Sequence, residues 1–225
     1  MKLAVIPPAV QSALPLVAGR SVHLVLAQFV LKYDWYVDFY KQEQDHGAHI
    51  ILDNGAAENQ CLTHDQLREA IHRLGPNEAV LPDRIGNAMG TLHQAIEFLH
   101  HPDLPQIGYM YVVHDLKGAE YAMPGMTIGV SKFARVSRAT IIDALPPATR
   151  IHLLGFVDAF ELKYLARRYP TIRSVDTAWP FVAVENGRRA WEVRPPEMVH
   201  DLEHYDTQFD LPVLECIREL ESYCG

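Results

Sequence analysis

The sequence predicts a (β/α)8 barrel, and three observations predict it. Eight short apolar runs recur along the chain, each ending on a polar residue. Helical patterns lie between them, with apolar residues at i, i+3, i+4 and i+7. Two of those helices open on capping signatures, Thr63 with Gln66 and Asp158 with Glu161. Eight strands alternating with helices within 225 residues fit a compact barrel without a large insertion. A doubly wound sheet is the runner-up, because the pattern does not say whether the sheet closes.

In chain order, strands are predicted over 2–6, 22–29, 49–52, 79–81, 108–113, 126–130, 150–154 and 174–175. Several are continuous apolar runs, such as Ile-Ile-Leu at 50–52, the pattern of strands covered on both faces. Leu67, Ala70, Ile71 and Leu74 form one predicted helical stripe. Leu92, Ala95, Ile96 and Leu99 form a second, and Leu162, Leu165, Ala166 and Tyr169 a third. The reading is therefore one barrel over 1–225 with an acidic helical tail at its C-terminal end.

Composition narrows the function classes. A 48% apolar, 21% charged chain is not a disordered polymer. No apolar run reaches the roughly 18–20 residues that span a bilayer. Pro7 and Pro8 interrupt the first apolar stretch, so no signal peptide is expected. Cys61, Cys216 and Cys224 are too few and too scattered for a disulfide framework, which points to a reducing cytoplasm.

The formal charge of −8 argues at first against a polyanionic partner. Its distribution changes that expectation. Residues 1–131 carry 8 basic and 14 acidic side chains, net −6; residues 132–194 carry 11 and 6, net +5; residues 195–225 carry 1 and 8, net −7. The middle segment is the expected nucleic-acid surface, with Lys132, Arg135, Arg138, Arg167 and Arg168 as candidate phosphate contacts.

In a barrel, functional side chains come from the C-terminal ends of the strands. Those ends carry Asp53 and Asn54, Asp83, His114 and Asp115, Ser131 and Lys132, and Asp176. Aspartate is disfavoured within strands and costly to bury unless it is paired or used. Gly55, Gly86, Gly129 and Gly155 fall at strand exits as well, where backbone can approach a flat ligand.

Five motifs at these ends, LDNGAAE from Leu52, LPDRIGN from Leu81, TIGVSKF from Thr127, IHLLGF from Ile151 and SVDTAWP from Ser174, resemble those of tRNA-guanine transglycosylases. Within that superfamily the likeness is closest to small, phage-type DpdA-like enzymes that place 7-deazaguanines in DNA. It runs from about residue 50 to residue 180. The resemblance implies a barrel enzyme that replaces guanine in DNA by a preQ0-like base, through a covalent aspartyl-glycosyl intermediate. Asp176 matches the nucleophile and Asp53 the second carboxylate, which moves protons on the leaving and entering bases. Asp83 matches the residue that reads the guanine edge, with Asn54 beside Asp53. His114 stands where the family often has a glutamine facing the base carbonyl. Gly129 matches a backbone contact to the base, and Leu154 and Gly155 the apolar floor beneath it.

No cofactor beyond the incoming base is implied. The partners are DNA, with tRNA as the alternative and a homodimer allowed. A non-catalytic partner subunit is the reading from another class, disfavoured by retention of Asp176 and Asp53. The tRNA enzymes also carry a structural zinc site of three cysteines and a histidine, and no such cluster stands in this sequence.

Two further signals read as structural, and a third stays open. His200, Glu203 and His204 form an H-x-x-E-H pattern, weighed as a polar terminal helix rather than a zinc site. His100 and His101 read as a helix C-terminus, where histidine complements the dipole. Trp179 reads equally as a packed aromatic or a site wall.

Overall fold

The computed structural model describes residues 1–58, 62–156, 158–192 and 202–224. Cys61 and His200 lie outside those residues. Eight parallel strands form one sheet: β1 (Lys2–Val5), β2 (Val22–Leu26), β3 (His49–Asp53), β4 (Glu78–Val80), β5 (Gly108–Val113), β6 (Thr127–Ser131), β7 (Arg150–Leu154) and β8 (Ile172–Thr177). The order is β1-β8-β7-β6-β5-β4-β3-β2, with the terminal strands β1 and β2 adjoining, so the sheet curls into a nearly closed (β/α)8 barrel. A doubly wound sheet would run its two halves in opposite directions from a switch point. This order steps once around a ring.

Helices cover the outside: α1 (Ala27–Lys32), α2 (Asp34–Asp45), α3 (His64–Leu74), α4 (Ala88–Leu99), α5 (Leu116–Glu120), α6 (Arg138–Ala144), α7 (Ala159–Arg168), α8 (Trp179–Glu185) and α9 (Asp210–Cys224). Their starts are chemically marked. Thr63 and Gln66 complete a reciprocal capping box on α3, and Gly75 ends that helix in the left-handed region at φ 66°. Asp115, Ser137 and Asp158 each accept a backbone N–H at the start of α5, α6 and α7. His100 closes α4, its ring Nδ1 2.7 Å from the Ile96 carbonyl.

Among the predicted elements that shift, two do so for reasons visible around the cleft-bearing loops and the early helices. The run 22–29 is not one strand: β2 ends at Leu26 and Ala27 begins a helix that buries Ala27, Phe29 and Val30. An apolar strand followed directly by a buried helix shows no break in hydrophobicity. In α4 the buried face is Ala88, Thr91, Ala95 and Phe98, and Ile96 is left 39% exposed. Thr91 decides that rotation. Its hydroxyl accepts the Arg84 N–H at 3.0 Å and donates to the Arg84 carbonyl at 3.2 Å, which ties the helix to the loop after β4.

The C-terminal helix is not a trailing segment. α9 buries Val213, Cys216, Ile217 and Leu220 against β1, α7 and α8, and Glu221 pairs with Arg20. Burial pushes the thiols of Cys216 and Cys224 up to about 12 and about 11, so neither is a ready thiolate at neutral pH. Among the described residues no helix is long and apolar enough to cross a membrane.

Candidate active site

The C-terminal ends of the strands open into a cleft of about 810 Å3, counting the open solvent at its mouth. Its wall holds Asp53, Asn54, Asp83, His114, Lys132, Leu154, Gly155 and Asp176. Eight of the residues singled out in the sequence thus meet in one place, from six different strands or the loops that follow them.

Asp176 lies within β8 and is 6% exposed. Its Oδ1 accepts from His152 Nε2 at 3.0 Å and from the Gly155 N–H at 2.9 Å. No described residue donates to Oδ2. A carboxylate held by one oxygen keeps a fixed orientation while the other oxygen remains available to a substrate. His152 is held in turn, with Nδ1 2.7 Å from Ser174 Oγ. A carboxylate only accepts, so His152 Nε2–H donates to Asp176.

The second group sits across the barrel on β3 and the loop after β4. Asn54 Nδ2 donates to the Leu81 carbonyl at 2.7 Å and to Asp83 Oδ1 at 2.8 Å. His114 Nε2 lies 2.6 Å from Asp83 Oδ2. Asp83 is therefore gripped at both oxygens, with one lone pair on each left for a ligand N–H. The His114 ring commits its Nε2 donor to Asp83, and its Nδ1 is buried without a hydrogen-bond partner among the described residues. The imidazole thus orients Asp83 rather than offering that donor to the cleft. Asp53 accepts the Gly55 N–H at 3.1 Å, which turns the chain back at the cleft edge. Leu154, Phe156, Phe133 and Ile85 supply the apolar surface between these groups.

Two glycines are dictated by close approach. At Gly129 a Cβ would lie 2.7 Å from Leu154 Cδ1 and 2.9 Å from Met110 Sδ, so those side chains fill the space over it. Gly129 therefore supports the floor from one layer below the cleft wall and is not part of that wall. Gly155 has φ +80°, and a Cβ there would overlap the Lys132 side chain. That conformation aims the Gly155 N–H at Asp176.

The basic candidates separate. Lys132 lines the cleft, and Arg135 is exposed with its guanidinium against Gly86. Arg167 and Arg168 lie on the outer face of α7. Arg138 requires correction as a phosphate contact. It is 3% exposed, clamps the Glu161 carboxylate through Nε and Nη2, and donates Nη1 to the Gly155 carbonyl at 2.7 Å. Its position as the third cation of the basic segment, at the start of a helix, gave no sign of burial. Glu203 of the H-x-x-E-H pattern pairs with Lys32 at 2.7 Å, and among the described residues no His/Cys/Asp/Glu group is placed to hold a metal.

Sequence reasoning passed over His152 and Ser174 as site residues. The signal was present: His152 is two residues before Leu154 on the same strand, hence on the same face. Trp179 resolves to both readings, lining the cleft while its Nε1 donates to the Ala190 carbonyl at 3.0 Å.

Below the cleft, Glu78 is 7% exposed on β4. Burial pushes its carboxyl up, but hydrogen bonds from His49 and Thr127 and the field of His49 and His152 outweigh that, and the net shift is downward from 4.5. A depressed carboxyl stabilises the fold above its unfolded value, and that contribution is lost as pH falls through the folded value. Glu78→Gln is therefore expected to lower the melting temperature at pH 7, with the gap to wild type narrowing below pH 4.5. Thermal melts at pH 7 and pH 3 check this; a gap independent of pH would refute it.

The chain matches no protein-family model, and a comparison with curated proteins returns no match.

Proposed function

We propose that the protein is a base-exchange glycosyltransferase that replaces guanine in DNA by a 7-deazaguanine. The observation that carries this reading is the Asp176 carboxylate, anchored at Oδ1 by His152 and Gly155 and with no donor to Oδ2 among the described residues, in a cleft shared with Asp53 and Asp83. That is the arrangement a two-step displacement at a sugar carbon needs. Asp176 Oδ2 attacks C1′ as the C1′–N9 bond breaks, and the bonding pair leaves on the purine, which takes a proton from Asp53. The incoming 7-deazaguanine then loses its N9 proton to Asp53 and attacks C1′. The ester C–O bond breaks, and the Asp176 carboxylate is restored with the phosphodiester chain uncut. Asp83, oriented by Asn54 and His114, accepts from the ring N–H and exocyclic amine of either base. The base must leave the duplex stack to reach this depth.

The resemblance of the five motifs supports the same reading, because the residues it implies, Gly129 apart, line the cleft. The test is incorporation of labelled guanine and of labelled preQ0 into DNA and tRNA in parallel. Uptake into DNA is the expected result. Uptake into tRNA alone would overturn the DNA assignment, and uptake into neither would overturn the reaction.

A further inference from the structure

α7 has a second face that the chemistry of the cleft does not use. Phe160 is 84% exposed and Tyr164 51%, an aromatic pair at i, i+4 on the outside of the barrel. Lys163 and Arg167 form a parallel i, i+4 row beside them, and these four with Arg168 line a shallow surface groove that includes no acidic side chain. The only acid of the helix, Glu161, is turned away to Arg138. Arg168 is held by Asp143 and Tyr169, and Lys163 Nζ sits 5.4 Å from the Tyr223 ring centre. Arg167 makes no ion pair among the described residues.

Large aromatics are normally buried, and here the helix already buries Ala159, Leu162 and Leu165 on its inner face. Phe160 and Tyr164 are not needed for that packing. Flat apolar rings alternating with unneutralised cations match a ligand with flat bases alternating with phosphates. Position supports the same occupant. The helix starts four residues after Gly155 at the cleft wall, and its 10 residues run about 15 Å down the barrel side.

We propose that this face of α7 binds single-stranded nucleic acid, with bases stacked on Phe160 and Tyr164 and phosphates on Lys163 and Arg167. The proposal deepens the base-exchange reading, for which α7 holds the unpaired strand beside the extruded nucleotide. Its test needs no turnover.

Fluorescence anisotropy with labelled oligo-dT, the same strand in duplex form, and inorganic polyphosphate is the direct measurement. Oligo-dT is expected to bind more tightly than the duplex. Phe160→Ala/Tyr164→Ala should weaken oligo-dT binding about tenfold or more while leaving polyphosphate unchanged. Lys163→Ala/Arg167→Ala should weaken all three ligands and flatten the salt dependence. Unchanged melting temperatures for both variants show that the fold is intact. The proposal falls if the aromatic variant binds oligo-dT like wild type, or if duplex is preferred. It falls equally if sedimentation shows that the aromatic pair holds two copies together, or if an acidic peptide competes as well as oligo-dT. Aromatic-dependent binding of oligo-dT without base exchange would sink the reaction and keep this surface. Exchange with no such dependence would do the reverse.

Discussion

Asp176→Asn is expected to abolish base exchange, by roughly 10^4-fold or more, with no loss of fold. Asparagine keeps the shape of the side chain, and its Oδ1 can still accept from His152 Nε2 and the Gly155 N–H. What is lost is the second oxygen. An amide nitrogen in its place has no free lone pair to attack C1′, and no carboxylate remains to offset positive charge developing on the sugar. The proposed covalent intermediate gives an independent readout. Wild type stopped with denaturant should retain labelled DNA on the protein band, and the Asn variant should not. Exchange at wild-type rate in the variant would remove Asp176 from the role of nucleophile.

Arg138→Met has the largest expected effect on stability, about 3 kcal/mol, because it breaks a partly buried ion pair by removing its buried partner. Methionine fills similar space, so the loss is mainly polar. The Glu161 carboxylate loses both its donors, and the Gly155 carbonyl loses a bond of 2.7 Å. For a chain of this size that corresponds to a drop of roughly 10 °C in melting temperature. The effect should reach the cleft, since Gly155 carries the N–H that fixes Asp176. A cycle with Glu161→Gln checks the assignment, with the double variant less destabilised than the sum of the single variants. A phosphate-binding Arg138 would give the opposite pattern, an unchanged melting temperature with weaker DNA binding.

Most strands were readable because both their faces are apolar, which makes each a distinct run between polar breaks. Strand β8 was read only at 174–175, since Arg173 and Asp176 interrupt its hydrophobicity; pairing with β1 and β7 carries it from Ile172 to Thr177. The α4 stripe was offset by one position because its apolar residues cover two adjacent faces, and only the bond between Thr91 and Arg84 chooses between them. Asp53, Asp83 and Asp176 stood out as acids at the ends of apolar runs. His152 did not, because one polar residue inside a strand gives no sign of which side chain it will meet.

The sequence by itself determined the alternation of strands and helices, the caps that start α3 and α7, and the acids that reach the strand ends. These follow from local periodicity and from hydrogen bonds made within a few residues. Tertiary structure alone decided that the sheet curls into a nearly closed ring, which places β1 beside β8 across about 170 residues of chain. It also decided which polar groups are partners. Asp176 meets His152, Asp83 meets His114, and Arg138 meets Glu161, each over at least 23 residues. Burial removes water as the competing partner, so a group that reads as a surface charge in the chain becomes an internal tether in the fold.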